Sequence, residues 1–194
     1  YLALTRFPFQ DRQPNPGETA DICVIDLHER TMRTVYSTKG WAFQLGANLN
    51  WGRTDRYLYT NDVIDGDPVC VRLDLESGQV RAYAGPMYHL APDESAVVGF
   101  PLDLINATQK GYGVPVDWDN VPQLTEKASE TQGLWRTELA TNRKSLLLSI
   151  ADLHRRALDK DMIEDATFYM FHTKYNPQGT RIMQVLRCLI PGEP

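Results

Sequence analysis

Several things are scarce in this chain, and each scarcity argues against a class of function. Cysteine appears three times in 194 residues, at Cys23, Cys70 and Cys188, an odd count with no CxxC spacing. That favours buried thiols over a disulfide or metal role, and each thiol sits in an apolar strand context that suits burial. Basic charge is in deficit: 20 Lys and Arg against 25 Asp and Glu leave a net charge of -5. A nucleic-acid partner needs a basic face, so none is expected. No apolar run approaches the ~18 residues of a membrane-spanning helix, so no membrane partner is expected either. There is no phosphate-cradling glycine run, and no Ser, His and Asp arranged as a triad. What remains is 42% hydrophobic and 10% aromatic content, enough to bury a core.

A two-part pattern of short strands recurs along the chain. One half is a polar turn followed by an apolar run: Trp51-Gly-Arg-Thr-Asp-Arg-Tyr-Leu-Tyr59, Ala91-Pro-Asp-Glu-Ser-Ala-Val-Val-Gly99 and Asn176-Pro-Gln-Gly-Thr-Arg-Ile-Met-Gln184. The other half is a strand ending in an acid-Leu step, at Val24-Ile-Asp-Leu27, Arg72-Leu-Asp-Leu75 and Arg136-Thr-Glu-Leu139. Trp51 and Ala91 stand 40 residues apart, close to the ~40–45 of a four-stranded propeller blade. Ala91 and Asn176 stand 85 apart, which fits one blade carrying an insertion. The expected fold is therefore all-β, a partial β-propeller of four-stranded antiparallel blades forming a single domain over 1–194. Its blade pieces fall at about 1–40, 41–85, 86–166 and 167–194. A β-sandwich with similar hairpins is the competing architecture.

Tyr1-Leu-Ala-Leu-Thr-Arg6 matches Tyr57-Leu-Tyr-Thr-Asn-Asp62 without the turn that leads into it. About three and a half blades do not close a ring. A piece of a larger protein, or self-association that completes the ring, is expected.

Two stretches interrupt the cycle. Residues 101–132 read as a long loop insertion, with a helical turn near 125–132, and a loop of that length inside a blade points to function. Residues 150–166 carry Ile150, Leu153, Ala157, Met162 and Ile163 at near-helical spacing and read as a short helical insertion.

The segments Trp41-Ala-Phe-Gln-Leu-Gly-Ala-Asn-Leu-Asn-Trp51, Gly111-Tyr-Gly113, Gly133-Leu-Trp135 and His172-Thr-Lys-Tyr-Asn-Pro-Gln-Gly-Thr-Arg181 resemble the oligogalacturonate lyase-like branch of the TolB/WD40-like propellers. The resemblance implies a carbohydrate-active propeller of about seven blades that cleaves uronate oligosaccharides by β-elimination. It implies a His base, which falls on His172, and an Arg near the substrate carboxylate, for which Arg136 is the candidate. It also implies manganese held by His and Gln residues of later blades. No cofactor and no metal ligand is therefore expected within this chain, and manganese only in the complete protein. The compartment is left open between the cytoplasm and periplasm of a bacterium.

The residues themselves support part of this. Removing a proton α to a carboxylate needs a base titrating near neutrality and cations for the developing charge. His172 has the type, with Lys174 beside it, and His172, Lys174 and Asn176 share parity on a period-two strand. Gln44, Asn48 and Asn50 beside Trp41 and Trp51 make a polar and aromatic mix suited to sugars. The opposing reading makes the rings inter-blade core and the amides turn caps. Tyr112 and Trp118 offer a lid or a stacking platform. A propeller that binds glycans or partner proteins without catalysis remains the rival function.

Overall fold

The structure is a computed structural model that describes residues 1–117, 127–157 and 166–190. Its strands form four antiparallel sheets, each a meander in chain order. The first holds β1 (Leu2–Arg6), β2 (Ala20–Asp26) and β3 (Thr31–Thr38). The second holds β4 (Asn50–Trp51), β5 (Tyr57–Ile64), β6 (Asp67–Asp74) and β7 (Val80–Tyr83). The third holds β8 (His89–Leu90), β9 (Ala96–Gly99), β10 (Gly133–Glu138) and β11 (Arg143–Ser149), and the fourth pairs β12 (Thr167–Tyr175) with β13 (Ile182–Leu189).

The recurring acid has a physical task. Asp26 Oδ1 accepts the N–H groups of His28 and Glu29, and Asp74 Oδ1 accepts those of Glu76 and Ser77. Each acid thus opens a turn by satisfying backbone donors that the strand ladder leaves free. Four residues past each acid-Leu acid the backbone turns left-handed, at Arg30 (φ 55), Gly78 (φ 73) and Asn142 (φ 57). The same regularity marks the other turn: two residues after Pro92 and Pro177 stand Glu94 (φ 57) and Gly179 (φ 70). The repeat in the sequence is a repeat of turn geometry.

Side chains alternate between the two faces of a strand, and here both faces are covered by neighbouring sheets. Leu58 and Val71 join Ile22, Val24 and Trp41 between the first two sheets. Their chain neighbours Tyr59 and Cys70 join Met87, Leu90 and Val97 between the second and third. Val98 then turns the other way, with Phe100, Leu134, Phe168 and Phe171. This is the stacked packing of propeller blades, not the two-layer core of a sandwich.

Among the described residues no strand of one sheet pairs with a strand of another. Side chains bridge instead. Asn61 Nδ2 donates to the Met87 carbonyl at 2.7 Å, and its Oδ1 accepts the Met87 N–H at 2.8 Å. Asp62 accepts the Tyr36 hydroxyl at 2.5 Å, the Thr38 hydroxyl at 3.1 Å and the Lys39 N–H at 2.9 Å. Glu94 accepts the Tyr59 hydroxyl at 3.0 Å and the Arg53 N–H.

Two details of the insertions differ from the sequence reading. The stretch after Pro101 opens with a helix, α1 (Leu102–Thr108), where a loop was expected. It buries Leu102, Leu104 and Ile105 in the core under β12, so packing rather than a capping residue sustains it. Residues 127–132, expected as part of a helical turn, are bent chain in which Ser129 Oγ accepts the N–H groups of Thr131 and Gln132. The helix expected from 150 is present as α2 (Ile150–Ala157); Met162, Ile163 and Trp118 lie outside the described residues.

Candidate functional site

In each complete four-stranded sheet the first strand in chain order lies at one edge, as β4 and β8, and β12 holds the corresponding place before its own Pro turn. Of the candidate residues, His172 and Lys174 lie on β12 and Asn50 on β4; Arg136 lies on β10, inside its sheet, and Gln44, Asn48, Tyr112 and Asn176 lie outside the strands. His172 lies in β12 at a bulge: Phe171 pairs with Val185 and Thr173 with Gln184, leaving His172 unpaired with φ at 50°. A non-glycine residue held in that region is uncommon, and a bulge re-aims the side chain it carries. The imidazole is turned onto the neighbouring sheet, where Nδ1 lies 2.6 Å from the Tyr88 hydroxyl.

The bulge corrects the parity expectation. His172, Lys174 and Asn176 do not form one regular row, because the extra residue resets the alternation. Lys174 is exposed and near enough to act on the imidazole electrostatically. Asn176 organises the β12–β13 turn: its Oδ1 accepts the N–H groups of Thr180 and Arg181 at 2.8 and 2.9 Å, and its Nδ2 donates to Gln178 and Thr180.

Burial first, and then the positive charges of Arg187 and Lys174, push His172 below the usual histidine range. The imidazole is therefore neutral at pH 7. Burial pushes the Tyr88 phenol up to about 12, so it stays protonated. Arg187 lies over the Phe171 ring, 4.2 Å from its centroid, and donates to Gln109 Oε1 at 2.9 Å. Gln109 also accepts the Tyr169 hydroxyl at 3.3 Å, which ties the insertion to β12.

Arg136 reaches the far end of the same strand. Its guanidinium bonds Glu138 at 3.1 Å and lies beside the Tyr175 phenol, whose pKa burial raises and Arg136 pulls back. Tyr175 also donates its backbone N–H to His89 Nδ1 at 3.2 Å. Burial and the charge of Lys174 lower the His89 pKa.

Gln44, exposed, stands over the insertion: its N–H donates to the Gly111 carbonyl at 2.9 Å. Tyr112 follows, edge-on to Phe171 with ring centroids 4.9 Å apart. Asn48 and Asn50 face the next sheet instead of solvent. Asn48 Nδ2 donates to the Met87 and Tyr88 carbonyls at 3.0 and 2.8 Å, and Asn50 Nδ2 to the Asn48 carbonyl at 3.1 Å. Trp41 is fully buried and Trp51 half-buried.

The structure thus gathers His172, Tyr88, Lys174 and Arg187 in one place and sets Arg136, Tyr175 and His89 along the same wall. No hydrogen bond joins His172, Arg136 and Gln44 to one another. Tyr88 escaped the sequence reading, though a Tyr-His step directly before the Ala91-Pro-Asp turn marks it as opening an edge strand. Among the described residues no group of three or more His, Cys, Asp or Glu side chains is gathered as a metal site.

No family model matches the chain, and no curated protein matches it. Among solved structures, TolB from Acinetobacter baumannii matches with a TM-score of 0.55 at 13% identity, over 98% of this chain. The chain spans 35% of the length of that protein. At this identity the likeness speaks to architecture alone, and with the stacked sheets it gives a TolB-like β-propeller fold.

Proposed function

We propose that this chain carries part of a saccharide site for uronate oligosaccharides, and that His172 acts there as the base of a β-elimination. The observation that supports this most is the His172 bulge. It holds a neutral imidazole between a phenol and two cations on an edge strand. The reading also draws on the resemblance to oligogalacturonate lyases in the Trp41–Trp51 and His172–Arg181 segments.

A base must offer a lone pair, so in this reading Nδ1–H donates to the Tyr88 oxygen and leaves Nε2 free. Nε2 takes the proton α to the uronate carboxylate. Its C–H electrons become the new C=C bond, the glycosidic C–O bond breaks, and the departing oxygen gains a proton from water. Lys174 and Arg187 stabilise the negative charge that builds on the carboxylate side. Arg136 is offered as a second carboxylate contact, and Gln44 and Tyr112 as contacts to the sugar ring.

The test is turnover of oligogalacturonate by the full gene product carrying this chain, with and without added manganese. Ultraviolet absorbance of the conjugated double bond is the readout. His172→Ala is expected to lower the rate by about 10²–10⁴-fold, the usual contribution of a positioned base. Tyr88→Phe, which frees the tautomer, gives a smaller loss and alters the pH profile. Binding of the oligomer without any new absorbance would replace catalysis with the docking function.

A further inference from the structure

A cavity of about 420 Å³ lies away from His172, between two loops that belong to different blades. One wall is the β1–β2 loop at 13–16 and the other is α1 with the segment 115–117. That volume falls within the ~300–1,000 Å³ of small-ligand pockets.

Both walls are held independently of any ligand. On the loop side, Arg12 forks onto Glu18 at 2.7 and 2.5 Å, and Glu18 accepts the Asn15 N–H at 2.7 Å. Trp41 Nε1 clamps the same turn through the Glu18 carbonyl at 2.9 Å. Pro14 and Pro16 fix the backbone between these ties. On the other side, α1 is buried through Leu102, Leu104 and Ile105, and the Val114 N–H bonds the Leu102 carbonyl at 2.9 Å. Walls that are already ordered reduce the entropy lost on binding.

The lining is chemically mixed. Prolines, Ala107 and Val116 present apolar surface, and Gln13 and Asn106 present amides that make no hydrogen bond to another described residue. An amide both donates and accepts, as does a hydroxyl, so neighbouring hydroxyls on a ring edge suit such a pair. Lys110, Asp103 and Asp117 all line the space, so its charged groups are of both signs. Burial pushes the Asp103 carboxyl up.

We propose that this cavity is a binding site for a neutral pyranose ring, its C–H face on the prolines and Val116 and its hydroxyls on Gln13 and Asn106. The site is separate from the uronate reading and does not depend on it. Saturation-transfer NMR would be run with glucose, galactose and mannose, and with galactosamine and galacturonate as charged comparisons. At least one neutral hexose is expected to bind, with no charged sugar more than about tenfold tighter. Asn106→Leu removes a donor and an acceptor and should weaken binding about tenfold, since each lost hydrogen bond is worth roughly a factor of three to ten. Ala107→Phe fills the space and should abolish binding, with thermal melts confirming that both variants fold. His172→Ala should leave it unchanged, which separates this site from the edge-strand site. Overturning results are silence from all three hexoses, binding that survives Ala107→Phe, loss of binding in His172→Ala, or a charged sugar bound where no neutral one is.

Discussion

Replacing Trp41 by alanine should be among the most damaging single changes in the chain. The indole is fully buried between the first two sheets and stacks on Phe7 with centroids 5.2 Å apart. It also meets Phe43 edge-on at 5.5 Å and Phe9 at 5.7 Å. Truncating a buried Trp to Ala costs roughly 3–5 kcal/mol in transfer and cavity terms. The lost Nε1–H bond to the Glu18 carbonyl adds about 1 kcal/mol, because that carbonyl sits where water can replace the donor. A total near 5 kcal/mol, with a urea slope of ~2 kcal/mol per molar, lowers the unfolding midpoint by about 2.5 M. Trp41→Phe keeps most of the ring contact and loses only the bond and some volume, so its midpoint should fall by about 0.5–1 M. Far-ultraviolet circular dichroism is the appropriate signal, since removing one of four tryptophans alters the fluorescence itself. A Trp41→Ala midpoint within ~0.5 M of the parent, or a Trp41→Phe loss equal to it, would refute the packing account.

Two further expectations concern acidity and backbone. The lowered pKa values of His89 and His172 mean that their neutral forms contribute stability above the unfolded histidine value of ~6.5. That contribution is lost as pH falls through the lower folded-state values. The urea midpoint should therefore drop between pH 7.5 and pH 5, and His89→Asn should flatten the slope; a midpoint that rises with acid contradicts the sign. Gly113 has φ at 76°, and a Cβ there would lie 2.0 Å from the Leu102 carbonyl oxygen, so Gly113→Ala should cost about 3–5 kcal/mol and roughly 10 °C of Tm. Gly17→Ala, at φ 85° in open space, should cost only ~1 kcal/mol; equal losses at the two glycines would disprove the close approach.

The blade order was legible because turn chemistry is local. An acid that caps a turn and a left-handed residue four positions on are both written in consecutive residues, as at Asp74 and Gly78. The helix α1 was not legible, because seven residues behind a proline span under two turns, too short a stretch for a periodic signal, and owe their form to contacts with β12. The bulge at His172 was equally hidden: nothing in Phe171-His172-Thr173 announces a left-handed histidine, and one extra residue inverts every parity argument downstream. Asn48, Asn50 and Asn176 had the residue type of sugar contacts, yet sequence does not reveal whether an amide faces solvent or a neighbour's backbone. The place of Tyr88 ahead of a blade turn was legible, but its contact with an imidazole 84 positions away was not.

The manner in which the sheets are joined has a mechanical consequence. Within a blade, ladder bonds share a load side by side; between blades, a handful of side chains form the seam. At the joint of the third and fourth sheets two of the fasteners are the imidazoles themselves, His172 against Tyr88 and His89 against the Tyr175 amide. In His172 the clasp uses Nδ1 and the proposed chemistry uses Nε2 of the same ring, so whatever engages that imidazole also grips or slackens the joint between the third and fourth sheets.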